Sequence, residues 1–79
     1  MVKTEFYLGF AKRDKVYYFS REEGKPCCKS GVILEITVDG TSVVFTLLNE
    51  DSCNVSVPYE HIFKNENLCF AYATAVAAF

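Results

Sequence analysis

Tryptophan is absent, and methionine and histidine occur once each, as Met1 and His61. Only two prolines are present, which with the rest of the composition excludes collagen-like and low-complexity classes. The four glycines, Gly9, Gly24, Gly31 and Gly40, stand alone, so no G-x-x-x-x-G-K phosphate loop exists. No charge sign dominates: eight Lys and Arg face ten Asp and Glu, for a net charge of −2. Binding of a polyanion by bulk charge is therefore not expected. The longest stretch without a charge runs from Asn67 to Phe79, well short of the roughly 20 residues a membrane-spanning helix needs. The start, Met1-Val2-Lys3-Thr4-Glu5, leads into no long apolar run and reads as no secretory signal.

What is present is a core. Half the chain (51%) is hydrophobic and 15% is aromatic, which excludes a disordered tail. Seventy-nine residues make one small domain, burying only about 60% of the surface its unfolded chain exposes. The four cysteines are Cys27, Cys28, Cys53 and Cys69. Their spacing does not fit C-x₂₋₄-C zinc pairs, and without export the thiols stay reduced. Cys53 and Cys69 read as small buried hydrophobes in a cytoplasmic protein without cofactor or metal.

Alternation and turn chemistry organise the chain. Residues 4–11 place Phe6, Leu8 and Phe10 on one side, as a strand or extended arm. Lys12 to Lys15 is a polar break, and Val16 to Phe19 is an aromatic, β-branched strand. Ser20 to Ser30 shows no period and reads as a loop. Val32, Leu34, Ile36 and Val38 alternate with Ile33, Glu35 and Thr37; after Asp39-Gly40, Val43, Phe45 and Leu47 alternate in turn. Asp-Gly between two such runs signals a hairpin. Asn49 to Ser52 is a second turn, Cys53 to Val57 a strand that either ends at Pro58 or runs at a sheet edge, and Tyr59 to Phe63 suits a single 3₁₀ turn. Asn65 is an N-cap for a helix at about residues 66–77. The expected fold is mainly β: a small closed barrel of four to five antiparallel strands with a C-terminal α-helix, in one domain over residues 1–79.

This order of pieces resembles the SH3-like barrels, and more closely certain short proteins of Gram-positive bacteria and their phages. The resemblance rests on Phe10-Ala11-Lys12-Arg13-Asp14-Lys15-Val16-Tyr17-Tyr18-Phe19, on Ser30-Gly31-Val32-Ile33-Leu34-Glu35-Ile36, and on Val57-Pro58-Tyr59-Glu60-His61-Ile62-Phe63-Lys64-Asn65. The pattern usually carries Gly where this chain has Arg13, so the first turn is expected to differ. The resemblance implies an SH3-like barrel and an accessory protein that binds and alters a host protein. The groove of peptide-binding SH3 domains uses a Trp, which this chain lacks, so recognition of proline-rich peptides is not expected.

No catalytic constellation stands out. His61 with Cys53 or Cys28, oriented by Asp51 or Glu60, is the one thiol–imidazole combination available, and His61 reads as a solvent-facing turn residue. The acid pairs Glu22-Glu23 and Glu50-Asp51 fall in expected loops, where carboxylates are solvated. The expectation is a non-enzymatic binding protein. Two surfaces compete for the role. Residues 1–30 carry +3 and residues 31–79 carry −5. Within the basic part, Lys12, Arg13, Lys15 and Tyr17 form the alternative reading, a nucleotide or nucleic-acid surface of basic and aromatic side chains. The preferred reading is a protein partner or homo-oligomer through the C-terminal helix. There Leu68, Tyr72, Ala75 and Phe79 are expected on one face, Phe70 opposite, and Cys69 and Val76 on a flank. A barrel this small cannot cover a helix apolar all round. Phe70, Tyr72, Val76 and Phe79 are therefore the candidate partner-binding residues, unless Phe70 tucks against the Phe6–Phe10 arm.

Overall fold

A computed structural model describes residues 1–77. It holds eight strands: β1 (Val2–Thr4), β2 (Phe6–Tyr7), β3 (Phe10–Ala11), β4 (Lys15–Glu22), β5 (Lys25–Asp39), β6 (Ser42–Asn49), β7 (Asn54–Pro58) and β8 (Ile62–Phe63). A 3₁₀ turn (Tyr59–His61) joins β7 to β8, and helix α1 spans Glu66–Ala77. The chain is mainly β with one C-terminal helix, and that helix is not long and apolar enough to cross a membrane.

Three tight turns shape the sheet. Leu8-Gly9 and Glu23-Gly24 both have positive φ at each position (44° and 87°, 53° and 79°), the backbone of a type I′ hairpin. Gly40-Thr41 closes the third, with Asp39 already paired to Ser42. Two sequence expectations change as a result. Residues 4–11 are not one extended strand, because Leu8-Gly9 folds them into the β2–β3 hairpin. Nor is Ser20 to Ser30 a loop: β4 and β5 pair without interruption from Lys15↔Val32 to Glu22↔Lys25. That ribbon shows no polar–apolar alternation because both its faces are used. Tyr18 points to the core, whereas Phe19 lies under α1 against Tyr72.

The hydrogen-bonded path runs β7-β6-β5-β4-β8, with β1 beside the far half of β5. Its two ends are consecutive in the chain, separated only by the 3₁₀ turn, so the sheet must curl strongly. No ladder joins β7 to β8 or to β4 among the described residues, and the expected closed barrel is not formed by hydrogen bonds.

Inside the curl lie Phe10, Val16, Tyr18, Ile33, Ile36, Val43, Phe45, Leu47, Val57 and Ile62. Each fully buried side chain of this kind contributes about 1.5–3 kcal/mol of transfer free energy. Ile33 and Ile36, both fully buried, are three residues apart, which a regular strand does not allow. A bulge between Ile33 and Glu35 takes up the extra residue. It also breaks the expected alternation, so that Val32 and Leu34 sit at the surface (37% and 39% exposed). Gly31 lies where β4, β5 and β6 meet; a Cβ there would come within 3.0 Å of the Leu48 carbonyl oxygen.

Candidate interaction surfaces

Helix α1 begins at Asn65, whose Oδ1 accepts the Leu68 N–H at 2.9 Å, an N-cap as expected. Its buried line is Cys69 and Ala73, with Tyr72 and Val76 half-buried beside them. This corrects the expected face of Leu68, Tyr72 and Ala75. Cys69 and Ala73 are small, so the helix seats closely on β4, β5 and β8. The bulkier Leu68 and Phe70 fall on either side of the contact, 52% and 51% exposed. Tyr72 faces inward, its ring centroid 5.1 Å from Phe19, 5.6 Å from His61 and 5.4 Å from Phe63. Of the four helix residues singled out, then, Phe70 is exposed, Tyr72 and Val76 are half-buried in the docked helix, and Phe79 lies outside the described residues. The outer side carries Asn67, Ala71, Thr74 and Ala75, all exposed and uncharged.

Cys69 is fully buried at this contact. Burial, aided by the neighbouring Cys28 and Cys27 thiols, pushes its thiol up to about 12. All four cysteines are free. Cys53, expected in the interior, is exposed because it belongs to the turn after β6. That turn is built on Asn49, whose Oδ1 accepts both the Asp51 and the Cys53 N–H.

The basic residues are dispersed. Lys12 and Arg13 form the exposed turn after β3, beside a hollow of about 280 Å³ that Glu5 and Phe6 also line. Lys15 and Tyr17 share the outer face of β4, with the Lys15 Nζ 5.7 Å from the Tyr17 ring centroid. Lys29 points into the curl and is held by Glu22 and Asp51; the hydrogen bond it donates to the Glu22 carboxylate raises its pKa. Lys3 pairs with Glu35, and Lys64 lies over Phe10. His61 is not the solvent-facing turn residue expected from the sequence: its ring packs against both Phe19 and Tyr72, which also touch each other. Among the described residues no group of His, Cys, Asp and Glu is arranged to hold a metal ion.

Sequence reasoning missed a third surface. Where the sheet fails to close, a groove of about 330 Å³ separates β4 from β7. Phe19 and Ser20 form one wall and Val55 to Pro58 the other, with Tyr18, Lys29 and Asn49 at its floor. The Asn49 side chain donates to the Tyr18 hydroxyl at 3.4 Å, tying the floor together. The one signal in the sequence was Pro58, which marks β7 as an edge strand.

No protein-family model, curated protein or solved structure matches this chain.

Proposed function

We propose that this is a non-enzymatic, cytoplasmic binding protein that acts through contact with another protein chain, and that helix α1 forms the contact. The observation that carries the reading is the docked helix itself. After Glu66 it has no charged residue, and it leaves Leu68 and Phe70 half-exposed on either side of its buried line. A contiguous uncharged, apolar patch marks an interaction site, and the outer side of α1 that joins Leu68 to Phe70 carries no charge. The curl of the sheet and the short link between its two ends support an SH3-like barrel closed by the chain rather than by a ladder. Four free thiols fit a reducing compartment.

The nucleotide reading of Lys12, Arg13, Lys15 and Tyr17 has less support, because Glu5 shares the Lys12–Arg13 hollow and Lys29 is already paired. Sedimentation velocity tests the preferred reading. Wild-type mass is expected to rise with concentration, and Phe70→Glu to abolish the rise. A strict monomer at every concentration, unaltered by Phe70→Glu, removes α1 from the reading.

A further inference from the structure

We propose that Cys28 and Cys69 are a redox-active thiol pair, which a low-molecular-weight disulfide of the glutathione class converts into a disulfide bridging β5 and α1. Residues directly opposite in an antiparallel ladder share a face, and successive residues alternate between faces. Phe19 of β4 pairs with Cys28 of β5, and Ser20 pairs with Cys27. Phe19 lies under α1, its ring centroid 5.1 Å from that of Tyr72. Cys28 therefore faces α1 as well, whereas Cys27 shares the opposite face with Ser20. Of the two adjacent cysteines, the ladder directs only Cys28 at the helix.

On the helix, Cys69, Tyr72, Ala73 and Val76 recur at the spacing of one face, and this is the face that docks. Cys69 sits one turn before Tyr72, so it reaches the sheet beside the Phe19–Cys28 row. It is fully buried there, and Cys28 is its side-chain neighbour. The main chains of α1 and β5 approach within 8 Å. A disulfide needs Cα atoms about 4.4–6.8 Å apart, so the close seat that Cys69 and Ala73 give the helix brings a bridge within reach of a small adjustment.

Exposure sets the order of events. Cys28 is half-buried and Cys69 is sealed in, so the oxidant meets Cys28 first. The Cys28 thiolate attacks one sulfur of the small disulfide; a mixed disulfide forms and one small thiolate leaves. Cys69 then gives up its proton, and its thiolate attacks the Cys28 Sγ. The protein disulfide forms, the mixed one breaks, and the second small thiolate leaves. Two cysteines are oxidised, one small disulfide is reduced to two thiols, and their two protons come from the two cysteines. The bridge joins positions about forty residues apart, which restrains the unfolded chain and holds α1 on the sheet. It involves nothing on the exposed side of α1, and neither reading depends on the other.

The test equilibrates the intact protein with mixtures of reduced and oxidised glutathione, followed by acid quenching, intact-mass measurement and peptide mapping. The product expected is lighter by two hydrogens and linked between Cys28 and Cys69. In native buffer it should form at an oxidant ratio at least about tenfold lower than in urea, because the fold holds the two thiols together. The urea midpoint of the bridged protein should exceed that of the same sample after dithiothreitol. Cys28→Ser should abolish both effects, and Cys27→Ser and Cys53→Ser should leave both in place. Glutathione adducts with no internal bridge, or a bridge to Cys27 or Cys53 instead, overturn the proposal. So does a bridge that forms no more readily in native buffer than in urea, or one that lowers the midpoint, since α1 would then have to leave its seat to make it.

Discussion

At the level of single residues, Arg13 shows how a side chain can oppose the backbone it sits on. The Asp14 N–H donates to the Ala11 carbonyl at 3.1 Å, so Lys12 and Arg13 are the central pair of a turn. Arg13 has φ 76°, whereas Lys12 is not in the positive region, which is the type II pattern that asks for glycine at the third position. The turn is held by the Arg13 N–H, which donates to the Ile33 carbonyl at 2.7 Å. Its side chain is exposed and does nothing to compensate. Relief of a left-handed non-glycine residue is worth about 1–2 kcal/mol. The extra freedom of glycine in the unfolded chain takes back about 0.5–1 kcal/mol. Arg13→Gly is therefore expected to stabilise the protein by about 0.5–1 kcal/mol, read as a higher urea midpoint with unchanged slope. A lower midpoint would mean that the Arg13 side chain contributes to the fold in a way its exposure does not suggest.

Among the elements, what was legible in the sequence followed from local chemistry, and what was hidden followed from tertiary contact. Asn65 and the alanine-rich run sufficed for the helix bounds, and Asp39-Gly40 for the β5–β6 hairpin. The β4–β5 ribbon was illegible because its second face is supplied by α1, some forty residues later in the chain. The bulge was illegible because either phase of Val32 to Val38 offers apolar residues, and only the position of Phe45 and Leu47 across the ladder decides between them. The side on which the helix docks was misread for a related reason. Large residues dominate a helical wheel, yet Cys69 and Ala73 are what allow close approach.

This docking carries a pH dependence. The Cys69 thiol is raised in the folded protein, so the native state keeps a proton that the unfolded chain has lost. Stability is then complete below the ordinary thiol range and falls as pH climbs toward about 12. Between pH 8 and 10.5 the urea midpoint should decline more steeply in the wild type than in Cys69→Ala, in which the other three thiols remain. Parallel declines would show that Cys69 does not couple helix docking to alkaline pH.

Over the molecule as a whole, the open sheet raises the question of what holds its two ends together. The answer in the structure is one short ladder and one ring. β8 bonds to β4 over Tyr17↔Phe63 and Tyr18↔Ile62. Tyr72 then touches Phe19 of β4, His61 of the 3₁₀ turn and Phe63 of β8 at once, fastening helix, turn and both strands at the closed end of the groove. The β5–β6 ladder, by contrast, runs from Gly31↔Asn49 to Asp39↔Ser42 over fully buried Ile33, Ile36, Phe45 and Leu47, and does not depend on that ring. Each aromatic contact is worth about 0.5–1.5 kcal/mol beyond its buried area. Tyr72→Ala is thus expected to cost about 2 kcal/mol, allowing for the ring's partial exposure. The loss should be uneven. Amides of Tyr17 and Phe63 should exchange through a local opening that Tyr72→Ala makes at least tenfold more frequent, whereas those of Thr37 and Thr46, bonded within the β5–β6 ladder, keep exchanging only through global unfolding. Equal acceleration at both sites relative to the drop in global stability would mean that the sheet behaves as a closed unit, and that the groove between β4 and β7 is no weaker than the ladders around it.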